Sequence, residues 1–189
     1  TDHQRLHREF MNIFTKLGLT IKDQSKVALE FFLKYNTQTL QRNTIKLDAL
    51  DTWIAPNIYQ TTYFPDIDRV VQHQSIETMF SHKLIAPLDR FKRNGSIAGR
   101  DIYDIHYFYV QGYRYLPKII QERTGFVLAD FFRTLITFIE KNITQTIINQ
   151  DLNTLLPEET FRSIRKILKT ETLTFLNHDL ASVNNLHLP

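Results

Sequence analysis

An α+β fold is predicted, with a partial mixed sheet and helices over residues 1–74 and a helical bundle over residues 75–189. Apolar residues alternate at strand spacing before residue 50, whereas from Ser75 onward they recur at helical spacing. The chain has 189 residues, of which 42% are hydrophobic and 12% aromatic, so it can bury a core. Together these observations favour two successive folded regions of different architecture.

The first region is expected to open with a helix and to continue with strands. Apolar residues recur at helical spacing from the start of the chain, and Gly18 is placed to end that helix. Alternation over residues 27–33 and again at Ile45 and Leu47 predicts an antiparallel pair of strands. Residues 52–68 contain two prolines and no clean period, which indicates an irregular connection to a short last strand, RVVQ.

The second region predicts helices. Ser75 is a good N-cap for a helix whose apolar stripe runs to Phe91, and Pro87 should kink that helix or split it. The segment RDIYDIHYFYVQ, closed by Gly112, predicts a second helix, and LPKIIQERTG a short third one. The apolar segment FVLADFFRTLITFIEKNITQTII is expected to be one long helix at the centre of the bundle, followed by one or two more helices.

Composition narrows the class of protein. The net charge of +3 allows an anionic partner, and the absence of cysteine excludes disulfides and thiolate metal sites. No apolar run reaches the roughly 18 residues that a membrane helix needs, so we expect a cytoplasmic protein without a membrane partner. His3 and His7 lie four residues apart without an evident third ligand, and are interpreted as surface histidines rather than zinc ligands.

Basic residues are concentrated between residues 82 and 100. Lys83 and Arg90 lie seven residues apart, which places them on one face of a helix, and Arg100 follows after a loop. Two interpretations are open. A fixed lysine opposite carboxylates can neutralise charge on a transferring phosphate. Alternatively, the segment is a solvated basic helix face.

Asp101 and Asp104 stand at the head of the second helix, three residues apart and on the same side. A carboxylate in the first turn stabilises the helix dipole or caps free N–H groups, for about 0.5–1 kcal/mol. This interpretation adds a salt bridge to Arg100 or to a neighbour. In the alternative, the two carboxylates share a divalent metal or a lysine. Spacing by itself leaves both interpretations open.

The segment FRSIRKILK near the C-terminus predicts a second basic stripe. Its cations are expected to face outward, either toward a nucleic-acid backbone or toward solvent, and are Arg162, Arg165, Lys166 and Lys169. Most aromatic residues of the second helix are expected in the core, with Tyr113 and Tyr115 the freer pair for stacking on bases. His106 is interpreted as a partner-bonded histidine rather than a general base.

Two segments, SIETMFSHKLIAPLDRF and then RDIYDIHYF after a short loop, together resemble the nucleotidyltransferases of the AbiEii/AbiGii toxin type. That family carries a helix of the pattern slEellaeKLxAlxxR followed by RDlyDlyxL. The matching positions keep the family's order and spacing and are Ser75, Ile76, Glu77, Lys83, Leu84, Arg90, Arg100, Asp101, Tyr103 and Asp104. The resemblance is close over residues 75–110 and looser over the rest of the chain.

The resemblance implies a nucleotidyltransferase-like α/β core with a helical bundle behind it. Such enzymes move a nucleotidyl group from a nucleoside triphosphate to an RNA or protein acceptor with Mg²⁺. Some are toxins of toxin–antitoxin or phage-defence pairs, which implies an antitoxin partner. By this resemblance Lys83, Arg90 and Arg100 are expected to bind the nucleotide. Asp101 is expected to be the late catalytic or structural acid, supported by Asp104.

The metal-binding half of such a site does not appear where the family places it. The family's Gly-Ser or Gly-Gly turn and Asp-x-Asp strand are absent before the first helix, and the pair Asp66 and Asp68 lies after the core strands. Asp48 is the expected third catalytic carboxylate, and the metal ligands are unknown. Either the first catalytic strands lie upstream of Thr1, or the chain is a degenerate relative.

Two functions follow from these alternatives. The first is a nucleotidyltransferase of the toxin type, of which the 189 residues alone are expected to be inactive. The second is a non-catalytic helical module that binds an antitoxin or a nucleic acid.

Overall fold

The structure is a computed structural model that describes residues 2–25, 28–36, 43–49 and 53–185. The chain forms two compact units, Thr1–Trp53 and Ile54–Pro189. Small antiparallel sheets precede a helical C-terminal region, so the predicted α+β class is confirmed. The division at Trp53 groups the last two strands with the helices, while the predicted domain boundary after residue 74 stays a prediction.

The first unit is a helix with a three-stranded antiparallel sheet. Its elements are α1 (Asp2–Lys16), β1 (Thr20–Gln24), β2 (Leu29–Lys34) and β3 (Thr44–Ala49), with β2 in the centre of the sheet. Alternate residues of β2 are buried and cluster with Phe14 of α1. The predicted helix and the predicted pair, β2 with β3, are confirmed. Residues 26–27 and 37–42 of the predicted pair and its turn lie outside the described residues.

Two strands have no apolar alternation in the sequence. β1 is exposed at four of its five residues and β4 (Tyr59–Phe64) at all six. The predicted irregular connection over residues 52–68 is therefore wrong at β4, because a strand without a buried face gives no alternating signal. β4 pairs antiparallel with β5 (Arg69–Gln74), which confirms the predicted last strand, and a 3-10 turn at Pro65–Ile67 joins the two.

Helices make up the rest of the second unit. Over the described residues these are α2 (Ile76–Asn94), α3 (Gly99–Val110), α4 (Pro117–Thr124), α5 (Leu128–Asn142), α6 (Gln145–Leu152), α7 (Glu158–Ile164) and α8 (Leu168–Asn185). Ser75 caps α2 as predicted, because its side chain accepts a hydrogen bond from the Thr78 N–H. Pro87 is buried within α2, which continues past it, so the predicted split does not occur.

The single long helix predicted after residue 125 is two helices. α5 ends and α6 begins around Thr144, whose side chain accepts a hydrogen bond from the Ile147 N–H as an N-cap. The apolar pattern continues through this break, so periodicity alone misses it. α5 still lies at the centre of the bundle, where it packs against α2, α4 and α8. No helix in the described ranges is both long and apolar enough to cross a membrane.

Candidate functional site

Two ion pairs join α2 to α3 and involve the residues that the sequence singles out. Lys83 Nζ lies 2.6 Å from Asp104 Oδ2, and Arg90 Nε lies 2.7 Å from Asp101 Oδ2. The later residue of α2 pairs with the earlier residue of α3, so the two helices run antiparallel. The structure thus brings together four of the predicted site residues on one helix pair.

The pair of Arg90 and Asp101 is buried and bidentate. Arg90 donates from Nε to Asp101 Oδ2 at 2.7 Å and from Nη2 to Oδ1 at 2.9 Å. The Asp101 side chain is 6% exposed and that of Arg90 is 30% exposed. The hydrogen bond to Asp101 raises the pKa of Arg90 against the opposing effect of burial, and the charges of Asp151 and Asp104 add to the rise. The guanidinium is therefore a fixed cation among carboxylates.

Asp101 does not serve as the side-chain cap of its own helix. α3 begins after Ala98, which provides no side-chain cap, and the Asp101 carboxylate reaches across to α2 instead. The salt bridge expected for this helix is formed with Arg90 rather than Arg100. Arg100 is exposed and makes no ion pair with any residue that the structure describes.

The first turn of α3 donates a hydrogen bond to the side chain of Asp151 of α6. Asp151 Oδ2 accepts a hydrogen bond from the Gly99 N–H at 2.6 Å, across 52 residues of sequence. A Cβ atom at Gly99 would lie 3.0 Å from Ile147 O and 3.0 Å from Ile148 Cα, so any other residue here would press against the backbone of α6. The sequence analysis missed Asp151, because so distant a contact leaves no local pattern.

The pair of Lys83 and Asp104 is accessible to solvent. The Lys83 side chain is 46% exposed and that of Asp104 is 33% exposed. An exposed ion pair contributes about 0–1 kcal/mol, so Lys83 can exchange its carboxylate for another anion at small cost. Pro87 stands four residues after Lys83 and has no N–H, so the Lys83 carbonyl lacks the usual helical donor.

A second polar network surrounds His82 on the same helix. His82 Nε2 lies 2.9 Å from Asn57 Oδ1, and Arg123 Nη1 lies 2.8 Å from His82 Nδ1 while its Nη2 bonds Asp89. Burial, followed by the charge of Arg123, lowers the pKa of His82 to about 4. The ring is thus neutral near pH 7, with Nε2 donating and Nδ1 accepting. The network ties α2 to α4 and to the segment before β4, and the sequence analysis did not predict it.

Asp48, the remaining predicted catalytic carboxylate, lies on β3 of the first unit. Lys46 Nζ is 3.1 Å from Asp48 Oδ2 and 3.1 Å from Glu30 Oε1. This exposed trio spans neighbouring strands, because Glu30 of β2 stands opposite Asp48 in the sheet. A catalytic role for Asp48 stays a prediction.

The described carboxylates do not form a metal site. No group of three or more His, Asp or Glu side chains within the described ranges is placed to hold a metal ion. Both carboxylates of α3 are already paired with cations. Asp66 and Asp68 lie at the tip of the β4–β5 hairpin, where Asp68 Oδ1 accepts a hydrogen bond from the Tyr63 hydroxyl at 2.9 Å. These residues do not fit the Mg²⁺ ion that the family resemblance implies.

The basic stripe near the C-terminus is largely engaged within the protein. Arg162 Nε donates to Glu158 at 2.6 Å, and the Arg165 guanidinium lies 5.5 Å from the centre of the Phe161 ring. Lys169 Nζ donates to two backbone carbonyls at the C-terminal end of α5, at 2.9 and 2.8 Å. Lys169 is therefore held against the end of α5, whereas Arg162 is paired only within its own helix and its side chain is 73% exposed, so it stays accessible to an anion.

Of the tyrosines in and just after α3, two bond a carboxylate of α8 and two are exposed to solvent. Tyr109 and Tyr115 both bond Asp179 of α8, and burial raises the pKa of each phenol, which therefore remains a donor. Tyr115 is thus less free than the sequence suggests. Tyr107 and Tyr113 are the exposed pair, at 46% and 36%.

His106 is bonded to a partner, as the sequence analysis favours. Its buried Nε2 lies 2.7 Å from Oε2 of Glu171 on α8. The ring also packs edge-on against Phe175, with centroids 6.1 Å apart. This contact joins α3 to α8.

One known protein family matches most of the chain, including the helices that carry the two ion pairs. The family model described as nucleotidyl transferase AbiEii toxin, type IV toxin–antitoxin system, matches residues 3–172. The matched range contains all but the first two residues of the first unit, together with both ion-paired helices. No curated protein and no solved structure matches the chain.

Proposed function

The chain belongs to the AbiEii family of nucleotidyl transferase toxins, and from this premise we propose that it transfers a nucleotidyl group from a nucleoside triphosphate. The observation that carries the proposal is the exposed Lys83–Asp104 pair on the α2–α3 face, with Arg100 one turn before Asp104. We assign this face to the triphosphate. The family is that of a type IV toxin–antitoxin system, which implies a nucleotide substrate and an antitoxin partner.

Electrostatics supports a triphosphate at this face. A polyphosphate carries more negative charge than the single carboxylate that now holds Lys83, so it competes well for the ammonium. The exchange costs little, because the pair is exposed to solvent. Arg100 offers a guanidinium that can bind two phosphate oxygens at once.

The proposed reaction places Lys83 beside the leaving group. A hydroxyl oxygen of the acceptor bonds to the α-phosphorus and releases its proton to water, the bond from that phosphorus to the bridging oxygen breaks, and pyrophosphate departs with the electron pair. Negative charge grows on the departing pyrophosphate, where a positioned ammonium stabilises it. Asp104 holds the lysine at this face until the nucleotide arrives.

Arg90 and Asp101 have a supporting role in this proposal. Their bidentate contact is buried, and Asp151 bonds the N-terminus of the helix that carries Asp101. They fix α3 against α2 and so fix Asp104 opposite Lys83. Of the two roles expected for Asp101, burial favours the structural one.

The acceptor and the metal are the finer parts of the proposal. We propose an RNA or protein acceptor, and Mg²⁺ dependence stays a prediction from the family. The described residues supply the phosphate-facing side of the site and not the metal ligands.

Transfer of label tests the proposed function. The full-length protein is incubated with α-labelled nucleoside triphosphates, Mg²⁺ and either total RNA or a protein extract. We expect labelled product, and a loss of about 10²–10³-fold in Lys83→Ala, because an electrostatic donor to the transition state is removed. Lys92→Ala is the matched control, since Lys92 is exposed on the same helix and forms no ion pair with a described residue. Full activity of Lys83→Ala would refute the assignment.

The alternative function, a binding module without catalysis, predicts a different result. It requires that the full-length protein bind an antitoxin or a nucleic acid while no nucleotide is transferred to any acceptor. At that stripe Lys169 is tied to α5, while the exposed pair of Arg162 and Glu158 can release its cation to a phosphate.

A further inference from the structure

The outer face of α3 carries an aromatic residue that neither the core nor the ion pairs use. Arg100, Asp104 and Tyr107 are spaced four and three residues apart, so their side chains lie in one row along the helix. Tyr107 is 46% exposed, and Val110, one turn further on, is 55% exposed. The row therefore begins with the cation Arg100, continues with the carboxylate that contacts Lys83, and ends at apolar side chains.

Neighbouring tyrosines are committed to other contacts. Tyr109 donates its hydroxyl to Asp179 at 2.7 Å, and Tyr115 bonds the same carboxylate. Tyr107 contacts the ring of Phe108 edge-on, with centroids 6.1 Å apart. Among the described residues, the Tyr107 hydroxyl has no hydrogen-bond partner, and the residue is 46% exposed.

We infer that Tyr107 stacks on the base of the nucleotide whose phosphates bind Lys83. This inference rests on the proposed function and adds the base-binding part of the same site. The helical rise separates Tyr107 from Asp104 by about 4.5 Å and from Arg100 by about 10 Å along the axis. A nucleoside triphosphate laid along the row places its base over the phenol ring and its phosphates toward Lys83 and Arg100.

Stacking accounts for the type of residue at this position. Every nucleobase has a π face, so an exposed phenol ring adds affinity without selecting one base. Val110, one turn after Tyr107 and 55% exposed, adds apolar surface to the same part of the helix. A single exposed tyrosine is ordinary on a protein surface. Tyr107 is distinguished by its place in the row that begins with the phosphate-facing cations.

Binding of nucleotide and of inorganic tripolyphosphate separates the base from the phosphates. Affinities of the full-length protein for the four nucleoside triphosphates and for tripolyphosphate are measured by calorimetry in one buffer. Tyr107→Ala is expected to weaken binding of all four nucleotides about tenfold, and to leave tripolyphosphate binding within about twofold. Tyr107→Phe keeps the ring and should keep the affinity. Tyr113→Ala, at an exposed tyrosine outside the row, is the matched control and should match the wild type.

Each other outcome has a distinct meaning. Unchanged nucleotide affinity in Tyr107→Ala overturns the inference. An equal loss of tripolyphosphate binding overturns it too, because the effect then does not pass through the base. A wild type that binds neither ligand overturns the proposed function together with the inference. If Lys83→Ala loses tripolyphosphate binding while Tyr107→Ala loses nothing, only the stacking role is wrong.

Discussion

The two ends of the α2–α3 helix pair carry the same kind of contact under different conditions. At one end, Arg90 makes two hydrogen bonds to Asp101, whose side chain is 6% exposed. At the other end, Lys83 makes one contact to Asp104, and their side chains are 46% and 33% exposed. Both pairs lie within the two segments that resemble the family pattern, so the sequence does not distinguish them.

Burial determines what each pair can do. A buried carboxylate loses its cation only at a large free-energy cost, so we propose a structural role for Arg90, whose predicted contact with the nucleotide stays a prediction. An exposed lysine can move from a carboxylate to a phosphate with little change in stability. We therefore propose that the buried end stabilises the fold and that the exposed end binds the nucleotide.

The largest effect on stability is expected at the buried end. Arg90→Ala leaves the Asp101 carboxylate without its partner and should lower the free energy of unfolding by about 3 kcal/mol. In a chain of this length the Tm should fall by about 6–12 °C, which thermal denaturation followed by circular dichroism measures. Lys83→Ala is the control and should cost less than about 1 kcal/mol. Equal losses in the two variants would abolish the distinction between the ends.

The start of α3 supports the buried end and gives the next largest effect. Gly99→Ala brings a Cβ atom to 3.0 Å from the backbone of α6. We expect a loss of about 2 kcal/mol in the free energy of unfolding, because the backbone must shift to relieve this contact. Arg100→Ala, at the next and exposed position, should stay within about 0.5 kcal/mol in the same urea titration. Tolerance of Gly99→Ala would mean that α6 does not fix α3.

Acid should lower the free energy of unfolding because it protonates His82, which the fold keeps neutral. Its pKa is about 4 in the folded protein against 6.5 for the unfolded chain, so the unfolded state binds more protons between these values. Stability should therefore fall as the pH is lowered from 6.5 to 4, and His82 should contribute no pH dependence above that range. Since the ring is only partly buried, we expect about 1.5 kcal/mol over this range.

His82→Gln removes that titration and provides the comparison. Its free energy of unfolding, measured by urea titration at several pH values, should change less steeply than that of the wild type between pH 6.5 and 4. Parallel pH profiles would show that His82 is not held neutral in the fold.

The smallest effect is expected from the exposed pair itself. A double-mutant cycle with Lys83→Ala and Asp104→Ala should give a coupling of about 0.5 kcal/mol in the free energy of unfolding, and added salt should reduce it further. The same cycle at Arg90 and Asp101 should give a coupling several times larger. A strong, salt-insensitive coupling between Lys83 and Asp104 would mean that this pair stabilises the fold and is not free to bind a phosphate.

Local signals in the sequence predict the helices that carry the site. Ser75 and its periodic apolar stripe define α2, and the segment that ends before Gly112 defines α3. β4 could not be predicted by the same means, because all six of its residues are exposed. The break at Thr144 is visible only as a capping residue inside an apolar run.

The features of the site that could not be predicted from the sequence are contacts between residues far apart in the chain. Spacing places Lys83 and Arg90 on one helix face but cannot show that the carboxylate facing Arg90 is buried while Lys83 is exposed. Asp151 reaches α3 from α6, and Arg123 reaches His82 from α4. Such contacts depend on how the helices pack, so the residues near either partner form no sequence pattern that would predict them.

Triphosphate binding and thermal stability, measured together on Lys83→Ala, test the central claim most directly. We expect a loss of at least about tenfold in affinity for tripolyphosphate, because the cation proposed to contact the phosphates is removed, with a Tm close to that of the wild type. Unchanged affinity in the folded variant would contradict the assignment of the exposed pair to the nucleotide. A Tm lowered as far as in Arg90→Ala would contradict the division of roles between the two ends.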